Sequence, residues 1–86
     1  MKKISYKIKD SAGLHARPAS KLVQSLAKYS SSVKLEYNGK VANAKSIINL
    51  MSLGISGDSE VIFLIEGSDE EELSSSICSI LSELGI

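Results

Sequence analysis

Apolar residues along this chain follow two alternating spacings, and the order of that alternation restricts the fold more than any other feature. Ile4, Tyr6 and Ile8 occupy every second position with Ser5, Lys7 and Lys9 between and after them, the spacing of a strand with one buried face. Asp10 to Gly13 is a polar break. Ala19, Leu22, Val23, Leu26 and Ala27 then recur at helical spacing, so a helix is expected from about residue 16 to Lys28, ended by Ser30-Ser31-Ser32. Val33, Leu35 and Tyr37 return to a period of two, and Asn38-Gly39 follows. That pair is the strongest short hairpin signal, because a type I′ turn needs two residues that tolerate positive φ. Val41 carries the return strand to about Ala44. Ile47, Ile48 and Met51 mark a short helix behind Ser46, a candidate N-cap, with Gly54 and Gly57 closing the segment. Glu60 to Glu66 encloses a continuous apolar run, as expected of a central strand. After Gly67, Ser68 or Asp69 caps a last helix, and Glu70, Glu71 and Glu72 set negative charge on its positive end. Leu73, Ile77, Ile80, Leu81 and Leu84 form its buried stripe, and Gly85 is its stop.

The order is β-α-β-β-α-β-α, which predicts one α+β domain over residues 1–86, a four-stranded sheet with helices on one face. If the apolar fourth strand lies between the first two, the sheet is antiparallel throughout. A chain of 86 residues buries a modest core, so chemistry has to happen at the surface.

Charge and cysteine content exclude several function classes. Ten basic residues balance ten acidic ones, which argues against general nucleic-acid binding. The halves differ: residues 1–43 hold nine Lys/Arg and two acids, and residues 44–86 hold one Lys and eight acids. An acidic partner is therefore expected for sites in the first half. Cys78 is alone, so no internal disulfide forms and a cytoplasmic location is expected. Its place in the last helix predicts a buried, inert thiol. One Cys and one His cannot build a structural zinc site, and no metal or cofactor is expected. No signal peptide or membrane insertion is expected either.

The candidate chemistry lies in Gly13-Leu14-His15-Ala16-Arg17-Pro18-Ala19-Ser20, which holds the chain's only histidine, arginine and proline. Proline fits a first helical turn, where a missing N–H costs nothing. His15 then stands at a helix amino end, whose partial positive charge disfavours imidazolium and leaves a ring lone pair free to attack. A phosphoryl group is a fitting electrophile, since its oxygens would lie near unpaired N–H groups. Arg17 can compensate charge on the same oxygens. Taken singly, each residue has a blander reading: a histidine before a helix as surface polarity, an arginine as a solvated charge. Their clustering favours chemistry, because no structural reason requires all three together.

The segment from Gly13 to Ala19 resembles the active-site signature of the HPr family, the histidine-containing phosphocarriers of the bacterial phosphoenolpyruvate-dependent sugar phosphotransferase system. The resemblance extends over essentially the whole chain. It implies an open-faced β-sandwich with a four-stranded antiparallel sheet, strand order 1-4-2-3, and three helices on one side. It implies that His15 takes a phosphoryl group on Nδ1 from phosphorylated Enzyme I and gives it to the Enzyme IIA domains of sugar permeases. Arg17 carries over as the phosphate-stabilising residue. Such a chain is a stoichiometric carrier rather than an enzyme, and a monomer is expected of it.

Asn43 to Gly54 resembles the regulatory serine region of HPr from low-GC Gram-positive bacteria. This implies that Ser46 is phosphorylated by the ATP-dependent HPr kinase/phosphorylase, and that the modified form partners a catabolite control protein in carbon catabolite repression. The blander reading of Ser46 is a helix cap alone. Ala16, Ser20, Ile47, Ile48 and Met51 are the expected partner interface, the last three as an exposed apolar patch. Ser20 stands where Thr is frequent in the family, and Ile48 and Asn49 replace the commoner Met and Gly. His15 argues against the catabolite-repression paralogue that lacks this histidine. Two alternatives stand beside the sugar branch. One is a nitrogen-branch regulatory HPr paralogue, which the Ser46 segment disfavours. The other is a small α/β RNA-binding module, which would need a basic face and stacked aromatics; Tyr6, Tyr37 and Phe63 are too few and too scattered.

Overall fold

The computed structural model describes residues 1–86. The elements run β1 (Lys2–Lys7), α1 (Ala16–Leu26), β2 (Ser32–Tyr37), β3 (Lys40–Asn43), α2 (Ile47–Ser52), β4 (Glu60–Glu66) and α3 (Glu70–Glu83). The strands form one sheet in the order β1-β4-β2-β3, with every pairing antiparallel. No helix is long and apolar enough to cross a membrane.

Register explains which residues meet the helices. Residues directly opposite in an antiparallel sheet share a face. Ile4 faces Phe63, Phe63 faces Leu35, and Leu35 faces Ala42, so one row spans all four strands. Val33 with Ile65 and Tyr6 with Val61 extend that layer. The neighbouring rows point the other way: Ser5, Ile62, Glu36 and Val41 in one, Lys3, Leu64, Lys34 and Asn43 in the next. Ile62 and Leu64 are half-buried there, among side chains whose aliphatic stems shield them. The continuous apolar run of β4 thus serves two faces, of which one carries the full core. Val41 belongs to β3 but is 54% exposed on the uncovered face, and Ala42 is the residue that packs inward.

The helices pack on the other face, α3 against β1 and β4, α2 against β3, and α1 against both α2 and α3. Twenty buried residues form one connected cluster. Leu14, Leu50, Leu53, Ile55 and Ile86 belong to it, although no sequence period announces them. Helix α1 ends at Leu26 and not at Lys28, and Ala27 is exposed beyond the expected stripe. Leu73, Ile77 and Leu81 carry the stripe of α3, with Ile80 and Leu84 half-buried on its border. Cys78 is exposed, contrary to the expected buried thiol: it is one position round from Ile77, and 100° of helix rotation takes it off the stripe. The α3 carboxyl end closes with Gly85 N–H donating to Ser82 O and Ile86 N–H to Leu81 O, at 3.1 and 3.0 Å.

Asp69 precedes α3 in the N-cap position but does not cap it through its side chain. Its carboxylate instead accepts the backbone N–H groups of Ser30 and Ser31 at 2.8 and 2.9 Å, together with the Ser31 hydroxyl. The Ser31 hydroxyl and the two amides hold this carboxyl well below its usual range, at about 2. Glu70, the first residue of α3, accepts Gly67 N–H at 3.1 Å and so fastens the preceding turn to the helix start.

Candidate functional site

The loop between β1 and α1 is a turn built by Asp10. Gly13 N–H donates to Asp10 O at 2.9 Å, and Ala12 N–H donates to Asp10 Oδ1 at 2.9 Å. Aspartate at the first turn position with glycine at the fourth is a recognised turn signature. Gly13 has φ +76°, and a Cβ placed there would lie 2.2 Å from Ile55 O. Gly57 makes the reciprocal approach, where a Cβ would meet Ser11 O at 2.5 Å. The two loops therefore interlock through bare backbone, reinforced by Leu14 N–H donating to Ile55 O at 3.2 Å. Lys9 N–H donates to Ile86 O at 2.7 Å, tying in the carboxyl end as well. Tyr37 braces the second loop, its hydroxyl 3.4 Å from those of both Ser56 and Ser59. Those hydroxyls, Ser56 first, lower the phenol's affinity for its proton.

His15 is the N-cap residue of α1, with extended backbone and no side-chain cap bond. The first helical bond runs from Ala19 N–H to His15 O at 3.0 Å, so the N–H groups of Ala16 and Arg17 precede the ladder. Pro18 is buried in the first turn and contributes no third N–H. The imidazole is 47% exposed. Its Nε2 lies 3.4 Å from Asp10 Oδ2, a neighbour that the sequence reading treats only as part of a polar break. Arg17 is exposed, two positions along, and enters none of the chain's ion pairs. This end of the fold thus presents an accessible ring, unpaired amides and an exposed guanidinium outside any ion pair.

Ser46 is the N-cap of α2. Its Oγ accepts Asn49 N–H at 3.4 Å and its carbonyl accepts Leu50 N–H at 3.0 Å, so the capping reading holds. Asn43 prepares the position, accepting Lys45 N–H on its side chain at 2.9 Å and Ser46 N–H on its carbonyl at 3.1 Å. The Lys45 ammonium donates to Tyr29 O at 2.6 Å, just past the carboxyl end of α1. Ser46 therefore belongs to the opposite end of α1 from His15. That helix has 11 residues, which places the two ends about 16 Å apart.

Between those ends lies an apolar surface. Ile47, Ile48 and Met51 are 36%, 78% and 40% exposed, while Leu50 and Leu53 turn inward. Ala16 is exposed and Ser20 half-buried on the adjoining α1. The six residues of α2 are too few for a sequence period to distinguish its two faces.

Comparison with known proteins agrees with this architecture. The family described as the PTS HPr component phosphorylation site matches residues 2–83. The structure is similar to the histidine-containing phosphocarrier protein of Mycoplasma, with TM-score 0.91 and 34% identity over 98% of this chain and 96% of that one. It is similar to an HPr from Thermoanaerobacter tengcongensis, with TM-score 0.90 and 41% identity over 99% and 96%. It is also similar to Crh, a catabolite repression protein of Bacillus subtilis described as a domain-swapped dimer, with TM-score 0.76 and 38% identity over 94% and 93%. Motif, strand order and whole-length similarity lead to one assignment: the chain belongs to the HPr family of phosphocarriers of the phosphotransferase system.

Proposed function

We propose that His15 accepts a phosphoryl group on Nδ1 from phosphorylated Enzyme I and passes it to Enzyme IIA domains of sugar permeases. The observation that carries this reading is an exposed imidazole at the amino end of α1, beside N–H groups that precede the helical ladder. The ring's lone pair attacks phosphorus, the Nδ1–P bond forms, and the donor keeps the electron pair of the bond that breaks. The transferred oxygens then lie where the amides of Ala16 and Arg17 and the Arg17 guanidinium compensate their charge. Imidazole is a good leaving group, so the group moves on when a second partner presents its own nucleophile. Positioning and charge compensation suffice for phosphoryl transfer, which suits a shallow site completed by a partner protein. The chain acts stoichiometrically, in the cytoplasm, as a monomer that docks with each partner in turn.

Ala16, Ser20, Ile47, Ile48 and Met51 form the docking surface in this reading, and Ser46 is a regulatory site for the HPr kinase/phosphorylase. A phosphate on Ser46 adds about −1.5 to −2 charge at a helix start, which the fold tolerates. It would repel an acidic partner lying along α1 and α2. The same modified surface is the one offered to a catabolite control protein. The experiment is incubation with phosphoenolpyruvate and Enzyme I. Acid-labile, base-stable label is expected on the native chain and absent from His15→Ala, and label on both would remove His15 from the role.

A further inference from the structure

Asp10 is held on two sides before it reaches the ring. Its carbonyl accepts Gly13 N–H and its Oδ1 accepts Ala12 N–H, each at 2.9 Å. These bonds fix the backbone and the side-chain rotation together, and they aim the second oxygen at His15. Oδ2 lies 3.4 Å from Nε2, and the carboxylate is only 29% exposed. No other carboxylate comes within ion-pair distance of His15. Neutral imidazole carries one proton, and the group that accepts from one ring nitrogen decides where the lone pair lies. Contacts of this kind are often long in an unliganded protein and tighten when the reacting group arrives.

We propose that Asp10 is a positioning residue for His15. Its carboxylate keeps the proton of the neutral ring on Nε2, leaves the lone pair on Nδ1, and stabilises the ring once Nδ1 has taken a phosphoryl group. This inference rests on the carrier reading of His15. As the Nδ1–P bond forms and the donor's bond to phosphorus breaks, the Nε2 proton stays in place. The ring becomes a phosphorylated imidazolium, and its positive charge faces Oδ2. On the outward step the Nδ1–P electron pair returns to the ring, and the Nε2–H neutral form is restored. The logic is that of the aspartate behind the histidine of serine hydrolases, which fixes the tautomer and stabilises the cation without taking the proton.

The test is Asp10→Asn, which retains an oxygen for Ala12 N–H and turns an amide donor toward Nε2. Ring nitrogen NMR shifts of the unphosphorylated chain at alkaline pH read the tautomer directly. The native protein is expected to show the Nε2–H form, and Asp10→Asn a shift toward Nδ1–H, with backbone amide shifts unchanged outside the loop. Label uptake from Enzyme I is expected to fall roughly 10- to 100-fold, by analogy with the loss of a carboxylate that orients a metal-bound histidine. Asp10→Glu, which keeps the charge, is expected to recover part of both signals. Unchanged ring shifts in Asp10→Asn, or uptake within about twofold of native, would overturn the proposal. If the native chain takes no label at all, the carrier reading fails, while the ring shifts still decide whether Asp10 sets the tautomer.

Discussion

At the scale of single residues, the His15 end of the fold separates groups that hold position from groups that meet charge. Gly13 holds position: its φ of +76° and the 2.2 Å approach of Ile55 O leave no room for a side chain. Gly13→Ala is expected to cost roughly 2–3 kcal/mol, read as a fall in Tm on the order of 10 °C. Arg17 is exposed and, in the proposed reading, compensates charge on the phosphoryl oxygens, so its removal tests the other role. Arg17→Ala is expected to stay within about 0.5 kcal/mol of native stability in a denaturant titration. Its transfer from Enzyme I should slow on the order of tenfold or more. Native transfer rates in that variant would contradict the clamp. The clustering of His15, Arg17 and Pro18 is legible from the sequence because it is local. The Asp10 contact is not legible, because it depends on how a turn folds back onto a ring five positions later.

At the scale of elements, the same contrast separates what periodicity reveals from what it hides. The apolar run of β4 marks a central strand, since both of its edges are paired. Helix α2 hides its inward residue Leu50, and Leu53 just beyond its end, because fewer than two turns carry no readable period. Asp69 is misread for another reason: helix-start chemistry is local, but its actual partners, Ser30 and Ser31, come from the far side of the sequence. That carboxylate joins the start of β2 to the start of α3, and it gives stability a pH dependence. Its folded value, about 2, lies below the ordinary 3.8, so the unfolded chain takes up the proton first. The contribution is complete above about pH 4 and is lost as pH falls toward about 2. Asp69→Asn is expected to be less stable at neutral pH and to lose stability less steeply across that window. Parallel acid-unfolding curves for the two proteins would refute the latch.

At the scale of the whole molecule, folding rearranges the charge asymmetry of the sequence. The Met1 ammonium meets Glu70 at 3.0 Å and the Lys2 ammonium meets Glu71 at 2.7 Å, so basic and acidic segments pair at the start of β1. Glu71 in turn raises the Lys2 ammonium's hold on its proton. The His15 loop follows the other end of β1, about 20 Å away for a strand of six residues. The acidic helix start is thus kept distant from the proposed transfer site. Ser46 and His15 stand at opposite ends of α1, so under the proposed regulation a charge on Ser46 would act through a partner lying along the helix and not on the ring itself. Ser46→Asp is expected to raise the apparent KM for Enzyme I several-fold while leaving the rate at saturation close to native. The effect should shrink as ionic strength rises. An unchanged KM would count against the electrostatic account.

The uncovered side of the sheet offers an experimental handle. All three helices lie behind it, so a fluorophore attached at Glu36 would project away from every surface proposed to meet other proteins. Cys78 is itself solvent-accessible and would have to become serine first. A chain dyed on its bare back could then be followed through successive encounters one molecule at a time, with its proposed docking front left untouched.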